Sequence, residues 1–179
     1  MTESTRPFEK SAIHHVAFAC RDIEQTHHFY GDLLGLELMH TEMTDLGQGF
    51  FRHTFYDTGD GSAIAFFDMH GVGEPENLRT AISTDLDLPL WVNHIALRST
   101  PERNDEVRSR MKAEGIRATM VLDHDWCQSR YYTDPNGILV ELCVDTPGMP
   151  YAPDKALAAL TQRPEAHRSI ESTEDPAAQ

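Results

Sequence analysis

The segment Ile13-His14-His15-Val16-Ala17-Phe18 decides the fold, because it returns later in the chain as Val92-Asn93-His94-Ile95-Ala96-Leu97. A second segment, Asp60-Gly61-Ser62-Ala63-Ile64-Ala65-Phe66, returns in altered form as Asn136-Gly137-Ile138-Leu139-Val140-Glu141-Leu142. In each pair the second copy follows the first after nearly the same number of residues, which indicates two units of nearly equal length. The repeated unit is therefore the building block of the fold.

Each unit has the order strand, helix, three strands. In the first unit, Asp22 is a good N-cap and Gln25 three positions later completes a capping box, while Gly35 ends the helix. In the second unit, Thr100 and Pro101 begin the corresponding helix. The alternation of apolar and polar residues predicts strands at 13–20, 36–43, 50–57 and 62–68, and again at 91–98, 117–123, 127–133 and 137–144.

These patterns predict an α+β fold in which two βαβββ modules form a curved mixed sheet around a metal-binding cavity. The lack of an apolar periodicity near the end of the chain predicts disorder after about residue 162, with one or two helical turns at 154–160 before it. The predicted segments are an N-terminal arm at 1–12, modules at 13–69 and 91–145, a connector at 70–90 and a tail at 146–179.

The composition excludes several kinds of partner. A net charge of -14 disfavours nucleic acid and anionic membranes. The sequence has no apolar run long enough to span a membrane, and its first ten residues are polar, so we expect a cytoplasmic protein. Cys20, Cys127 and Cys143 are odd in number and widely spaced, which argues against a disulfide framework or a thiolate zinc site.

Two histidines and one acidic residue are the candidate metal ligands. His15 and His94 occupy the same position in the two modules, so the pseudo-twofold symmetry of the repeat should bring them together. Glu141 interrupts the apolar run of the last strand, and burying an unpaired carboxylate is costly. Ala65 stands at the equivalent position of the first module. Two imidazoles and one carboxylate leave positions on a divalent metal open for a substrate or dioxygen.

His14 is not a candidate ligand, because adjacent residues of a strand point to opposite faces. Its counterpart in the second module is Asn93, whose side chain cannot replace an imidazole well. The same alternation separates Tyr131 from Tyr132, so only one of these two tyrosines can face the cavity.

The chain resembles the vicinal oxygen chelate superfamily, which contains glyoxalase I, type I extradiol dioxygenases, fosfomycin-resistance enzymes, methylmalonyl-CoA epimerase and bleomycin-resistance proteins. The resemblance covers residues 13–145. It rests on His15-Val16-Ala17-Phe18, on Phe29-Tyr30-Gly31-Asp32-Leu33-Leu34-Gly35-Leu36, and on the segment from Tyr131 to Leu142, which reads Tyr-Tyr-Thr-Asp-Pro-Asn-Gly-Ile-Leu-Val-Glu-Leu.

Within this superfamily, glyoxalase I and the epimerase use a Glu or Gln at the position of Ala65. The extradiol dioxygenases resemble the pattern seen here, with His15, His94 and Glu141 around Fe(II) or Mn(II) and a tyrosine at the place of Tyr131. These oxygenases also carry a histidine where this chain has Ser62. Two other histidines are candidates to replace it in proton transfer, namely His53 and His124.

The resemblance thus implies an extradiol-dioxygenase-like enzyme acting on a small, catechol-like molecule with adjacent oxygens. Fe(II) is the expected metal, with Mn(II), Zn(II) and Ni(II) as alternatives. An oxygen-independent lyase, isomerase or transferase and a metal-free small-molecule-binding resistance protein remain alternative functions. We expect a homodimer whose modules pair either within one chain or between two chains.

Overall fold

The computed structural model describes residues 11–73, 77–147 and 152–163 and contains two four-stranded sheets. The first sheet has the order β1-β4-β3-β2 and the second the order β5-β8-β7-β6. The strands of the first sheet are β1 (His15–Ala19), β2 (Glu37–Asp45), β3 (Phe50–Asp57) and β4 (Ala63–His70). Those of the second are β5 (His94–Arg98), β6 (Met120–Asp123), β7 (Cys127–Thr133) and β8 (Leu139–Asp145).

The first helix begins where the capping box predicts. The Asp22 side chain accepts hydrogen bonds from the backbone N–H groups of Glu24 (2.9 Å) and Gln25 (3.0 Å). Helix α1 (Ile23–His27) continues directly into a π-helical segment (His28–Leu33), a widening that the sequence pattern did not predict. Gly35 follows with φ +71°, the left-handed conformation in which a glycine ends a helix without strain.

The second helix, α2 (Pro101–Ala113), also begins as predicted, with the Thr100 hydroxyl accepting from the backbone N–H of Arg103. Strand β5 starts later than its apolar pattern suggests, because the preceding residues form a turn. In this turn the N–H of Val92 donates to the carbonyl of Pro89, and the N–H of Asn93 donates to the hydroxyl of Ser83.

The strand register of the two sheets follows the sequence repeat. His15 and His94 each begin the first strand of their sheet, and that strand runs parallel to the last strand of the same sheet. Ala17 lies opposite Ala65 in the first sheet, as Ala96 lies opposite Glu141 in the second. Ala65 therefore occupies the position of Glu141, as the sequence alignment predicted.

The core lies between the helices and the covered faces of both sheets. Tyr30, Leu34, Val107 and Met111 are at most 1% exposed and belong to one cluster that spans both modules. Apolar side chains from β4 and β8 complete this cluster. Burial of its large apolar side chains stabilises the fold. The two modules are thus joined on their helical side, and their sheets are not hydrogen-bonded to each other.

The α+β class and the two strand-helix-three-strand modules are confirmed. The predicted turns near 154–160 correspond to helix α3 (Pro153–Ala159), and the connector contains a short 3-10 helix (Thr84–Leu86). Residues 1–10 of the arm, 74–76 of the connector, and 148–151 and 164–179 of the tail lie outside the described residues. No helix among the described residues is long and apolar enough to cross a membrane.

Candidate metal centre

His94 and Glu141 meet on the face of the second sheet that points away from the core. Nε2 of His94 lies 3.2 Å from Oε2 of Glu141. The two residues come from neighbouring parallel strands, and the register places Glu141 opposite Ala96, whose side chain shares the face of His94. The sheet therefore brings together two residues that are remote in sequence and holds both on rigid backbone.

The hydrogen bonds of His94 suit a metal ligand. Its Nδ1 lies 2.8 Å from the carbonyl oxygen of Trp91, so Nδ1 must carry the proton of this hydrogen bond. In the neutral ring, Nε2 then presents a lone pair to a carboxylate oxygen of Glu141. Two acceptors at this distance attract each other only when a proton or a metal cation lies between them. The hydrogen bond from Nδ1 to the Trp91 carbonyl and the paired acceptors at Nε2 and Oε2 fit a divalent cation.

Glu141 is only 5% exposed, so its environment must compensate for the loss of water. The hydroxyl of Ser129 on the neighbouring strand donates to Oε1 of Glu141, and His94 faces Oε2. Both carboxylate oxygens are therefore held by side chains on one face of the sheet. This arrangement fixes the orientation of Glu141 before any ligand binds.

Tyr131 faces the same side of the sheet as Glu141, directly opposite it in the strand ladder. Its hydroxyl lies 3.0 Å from Nε2 of His124. Burial and the nearby Glu141 charge raise the pKa of Tyr131 to about 12, so its hydroxyl stays protonated near neutral pH. Tyr132 points to the opposite face and is 1% exposed in the core.

His15 lies on the exposed face of the first sheet. Its Nδ1 is 2.7 Å from Nδ1 of His14, and its ring contacts those of His53 and Phe55. In the described part of this chain, His15 does not belong to any cluster of three or more potential metal ligands whose donor atoms lie within 4.8 Å of one another. The single chain thus brings His94 and Glu141 together and leaves His15 on the other sheet.

His53 lies beside His15 and occupies the ladder position that Ser129 has in the second sheet. Its Nδ1 is 3.3 Å from Oε1 of Glu42, while its buried Nε2 has no hydrogen-bond partner among the described residues. The ring stacks on Phe67 with centroids 3.9 Å apart. Burial lowers the pKa of His53 below its ordinary value, although the Glu42 carboxylate opposes this effect.

Sequence reasoning missed three polar residues around these sites. Ser129 and Cys127 precede Tyr131 by two and four residues, so a period of two could have placed both on its face. Glu42 on β2 lies opposite His53 on the neighbouring strand β3, and no local sequence pattern indicates that pairing. The candidate ligands interrupt repeated apolar strands, which makes them visible in the sequence, whereas the residues that contact them lie in ordinary polar positions.

Known structures share this fold at low sequence identity. A glyoxalase/dioxygenase from Nostoc punctiforme matches with a TM-score of 0.55 and 18% identity, covering 82% of this chain and 99% of that chain. The fosfomycin resistance protein FosX from Listeria monocytogenes, in its monoclinic form at pH 6.5, matches with a TM-score of 0.54 and 22% identity, covering 78% of this chain and 97% of that one.

The complex of FosX with Mn(II) and sulfate matches with a TM-score of 0.52 and 22% identity, over 78% of this chain and 96% of that one. At such identities the likeness concerns the fold. The family assignment rests on the sequence itself, because a family model matches residues 12–142, which include nearly all of both repeated modules and all the candidate ligands. The chain belongs to the Glyoxalase/Bleomycin resistance protein/Dioxygenase superfamily.

Proposed function

We propose that this protein is a divalent-metal enzyme of the extradiol-dioxygenase type, acting on a small molecule with two adjacent oxygens, such as a catechol. His15, His94 and Glu141 would hold the metal. One observation carries the proposal: Nε2 of His94 faces Oε2 of Glu141 at 3.2 Å, while Nδ1 of His94 is engaged with the carbonyl of Trp91. The Mn(II) complex of FosX is a precedent for a divalent ion in this fold.

The bound ion, with Fe(II) as the expected metal, would supply open coordination positions and Lewis-acid chemistry for the substrate oxygens. Ala65 supports this openness, because the first module contributes no carboxylate at the position of Glu141. The protonated hydroxyl of Tyr131 can donate a hydrogen bond to a substrate oxygen. His124, 3.0 Å from that hydroxyl, can accept or return its proton.

We further propose that His15 reaches this site from a second copy of the chain. His15 and His94 are both exposed on their own sheets, and among the described residues the two sheets of one chain are joined on their helical side. Facing the first sheet of one copy with the second sheet of another would complete two equivalent ligand sets in a twofold dimer. The homodimer is then a requirement of the site.

Mixing two inactive variants tests this arrangement. If ligands come from two copies, refolding His15→Ala with Glu141→Gln gives mixed dimers that each contain one intact ligand set. The mixture should recover about a quarter of the wild-type metal content, as expected for random twofold pairing. If both histidines act within one chain, every set keeps a defect and no metal binding returns. The matched control is a mixture of His94→Ala with Glu141→Gln, which should not recover, because both residues of each set then come from the same copy.

The reaction itself is tested by loading the metal-free protein with Fe(II) under nitrogen and adding a panel of catechols. We expect a colour change on catechol addition, followed by oxygen uptake and ring-cleaved product when air is admitted. His94→Ala should abolish all three signals. If no catechol in the panel changes the spectrum or consumes oxygen, the dioxygenase proposal is wrong.

One observation favours an oxygen-independent reaction as the second candidate. In the part of the chain that the structure describes, the buried Nε2 of His53 has no hydrogen-bond partner, and Nδ1 of the same ring faces Glu42. Such a histidine is a ready proton acceptor for a lyase, isomerase or transferase. Equal turnover under nitrogen and under air, lost in His53→Gln, would favour this candidate. Protein purified without chelator and free of metal would instead favour a small-molecule-binding resistance protein.

A further inference from the structure

A second group of metal-ligating atoms meets the carboxylate of Glu141. One donor atom each of His124, Cys127 and Glu141 lies within 4.8 Å of the others, and no other such trio occurs in the part of the chain that the structure describes. We propose that these three side chains form a second metal position, beside the His94–Glu141 position and sharing its carboxylate, that binds a thiophilic divalent cation such as zinc. Apart from the shared Glu141 and His124, this inference does not depend on the reaction proposed above.

A tight turn holds two of the three ligands in place. His124 and Cys127 flank the connection between β6 and β7, and the backbone N–H of His124 donates to the carbonyl of Cys127 at 2.9 Å. Asp125 within the turn has φ +68°, and its N–H donates to Oδ1 of Asp123 at 2.9 Å. The His-x-x-Cys spacing is therefore rigid, and rigid placement is what metal coordination requires.

Cys127 is linked through Ser129 to the Glu141 oxygen that His94 does not face. Sγ of Cys127, which is fully buried, lies 3.6 Å from the hydroxyl of Ser129, and that hydroxyl donates to Oε1 of Glu141. His94 faces the other oxygen, Oε2. His94 thus faces one oxygen of the carboxylate, and Cys127 is linked through Ser129 to the other. This separation is why we assign two positions.

The two donor sets favour different metals. A sulfur, an imidazole and a carboxylate form a mixed set typical of zinc, which takes three protein ligands and leaves a fourth position open. The His94–Glu141 position offers only nitrogen and oxygen, which suit Fe(II) and Mn(II) better. The thiol of Cys127 must lose its proton when it coordinates, so binding at this position is accompanied by proton release.

Titration of the metal-free, full-length protein with Co(II) tests the proposal. A cysteine ligand produces a thiolate-to-cobalt charge-transfer band in the near ultraviolet, which nitrogen and oxygen ligands do not. We expect this band in the wild type and its loss in Cys127→Ser. Zinc binding at this position should be weakened in His124→Asn by more than the roughly 10- to 100-fold that loss of a residue supporting a ligand typically causes. Cys20→Ser is the matched control, because Cys20 is also buried but lies in the first module.

The His94→Ala variant separates this position from the first. It should keep the charge-transfer band while losing the metal of the proposed enzyme site, and Glu141→Gln should weaken both. Absence of the band in the wild type, or its persistence in Cys127→Ser, overturns the proposal. If His94→Ala loses the band as completely as Cys127→Ser does, the proposal is also overturned, because a single metal position would then explain both results. Should Cys127→Ser fail to fold, an unchanged band in His124→Asn overturns it equally.

Discussion

At the scale of single residues, the candidate centre depends on how one buried carboxylate is held. Glu141 has His94 at one oxygen and the hydroxyl of Ser129 at the other, and Tyr131 lies opposite it in the strand ladder. A carboxylate so oriented loses little conformational freedom when a cation binds. The side chains that support Glu141 should therefore influence affinity almost as much as the ligands do.

Replacing Ser129 with alanine should weaken metal binding without unfolding the protein. The change removes the hydrogen-bond donor to Oε1 of Glu141, and loss of a hydrogen bond that orients a metal-binding side chain typically lowers affinity about 10- to 100-fold. Titration calorimetry with Mn(II) and with Zn(II) measures the effect. The control is Ser109→Ala, whose hydroxyl bonds only within its own helix. Equal affinity in Ser129→Ala and the wild type would contradict the assigned role.

Replacing Tyr131 with phenylalanine should separate binding from turnover. The aromatic ring is kept, so metal affinity should change little, while loss of the hydroxyl beside His124 should lower turnover by about 10²- to 10⁴-fold, the usual contribution of a positioned proton donor. The comparison is with Tyr132→Phe, on the core face of the same strand, which should alter stability and leave turnover intact. A normal rate in Tyr131→Phe would exclude it from the reaction.

At the scale of elements, one histidine links the two helices across the module boundary. Nδ1 of His28 lies 2.9 Å from Asp32, and its Nε2 lies 2.8 Å from Glu114, the residue that ends α2. Hydrogen bonds to Glu114 and then to Asp32 raise the pKa of His28 above its ordinary value. The link between the helices is thus strongest when His28 is protonated.

Stability should therefore depend on pH through His28. Because the folded-state pKa is raised, its stabilising effect is fully present below the unfolded value of about 6.5 and is lost as pH rises through the folded value. The free energy of unfolding of the wild type should exceed that of His28→Gln at pH 5.5, and the difference should shrink at pH 9. Urea denaturation at both pH values measures this difference. In Glu114→Gln the pH dependence should be smaller, and an unchanged dependence would contradict the assignment.

At the scale of the whole molecule, buried polar contacts join the two modules. The Tyr30 hydroxyl donates to Oδ2 of Asp134 at 3.0 Å, and the side-chain amide of Asn136 donates to the hydroxyl of Thr26 at 3.2 Å. Asn136 also accepts from the backbone N–H of Arg21 at 3.0 Å. The Asp-Pro-Asn-Gly turn of the second module is therefore an attachment point for the first helix.

Replacing Tyr30 with phenylalanine should destabilise the fold by about 1–3 kcal/mol, the usual cost of leaving a buried partner with one hydrogen bond fewer. The effect should be large for this tyrosine because burial and the Asp134 charge raise its pKa well above the ordinary value, so its hydroxyl always donates. Tyr56→Phe is the control, since Tyr56 contacts His27 of its own module. Chemical denaturation compares the two variants, and equal stability losses would argue against a special role for the contact between modules.

The sequence determined the repeat, the order of strands and helices, the caps at Asp22 and Thr100, and the equivalence of His15 with His94 and of Ala65 with Glu141. These features are local patterns or internal comparisons, so they can be read along the chain. Only the tertiary structure decided that Ser129 supports Glu141, that Glu42 faces His53, and that His124 and Cys127 reach the same carboxylate. It also left His15 on a separate sheet from His94. Such contacts depend on strand register and on the packing of helices between modules, which bring together residues with no pattern in common.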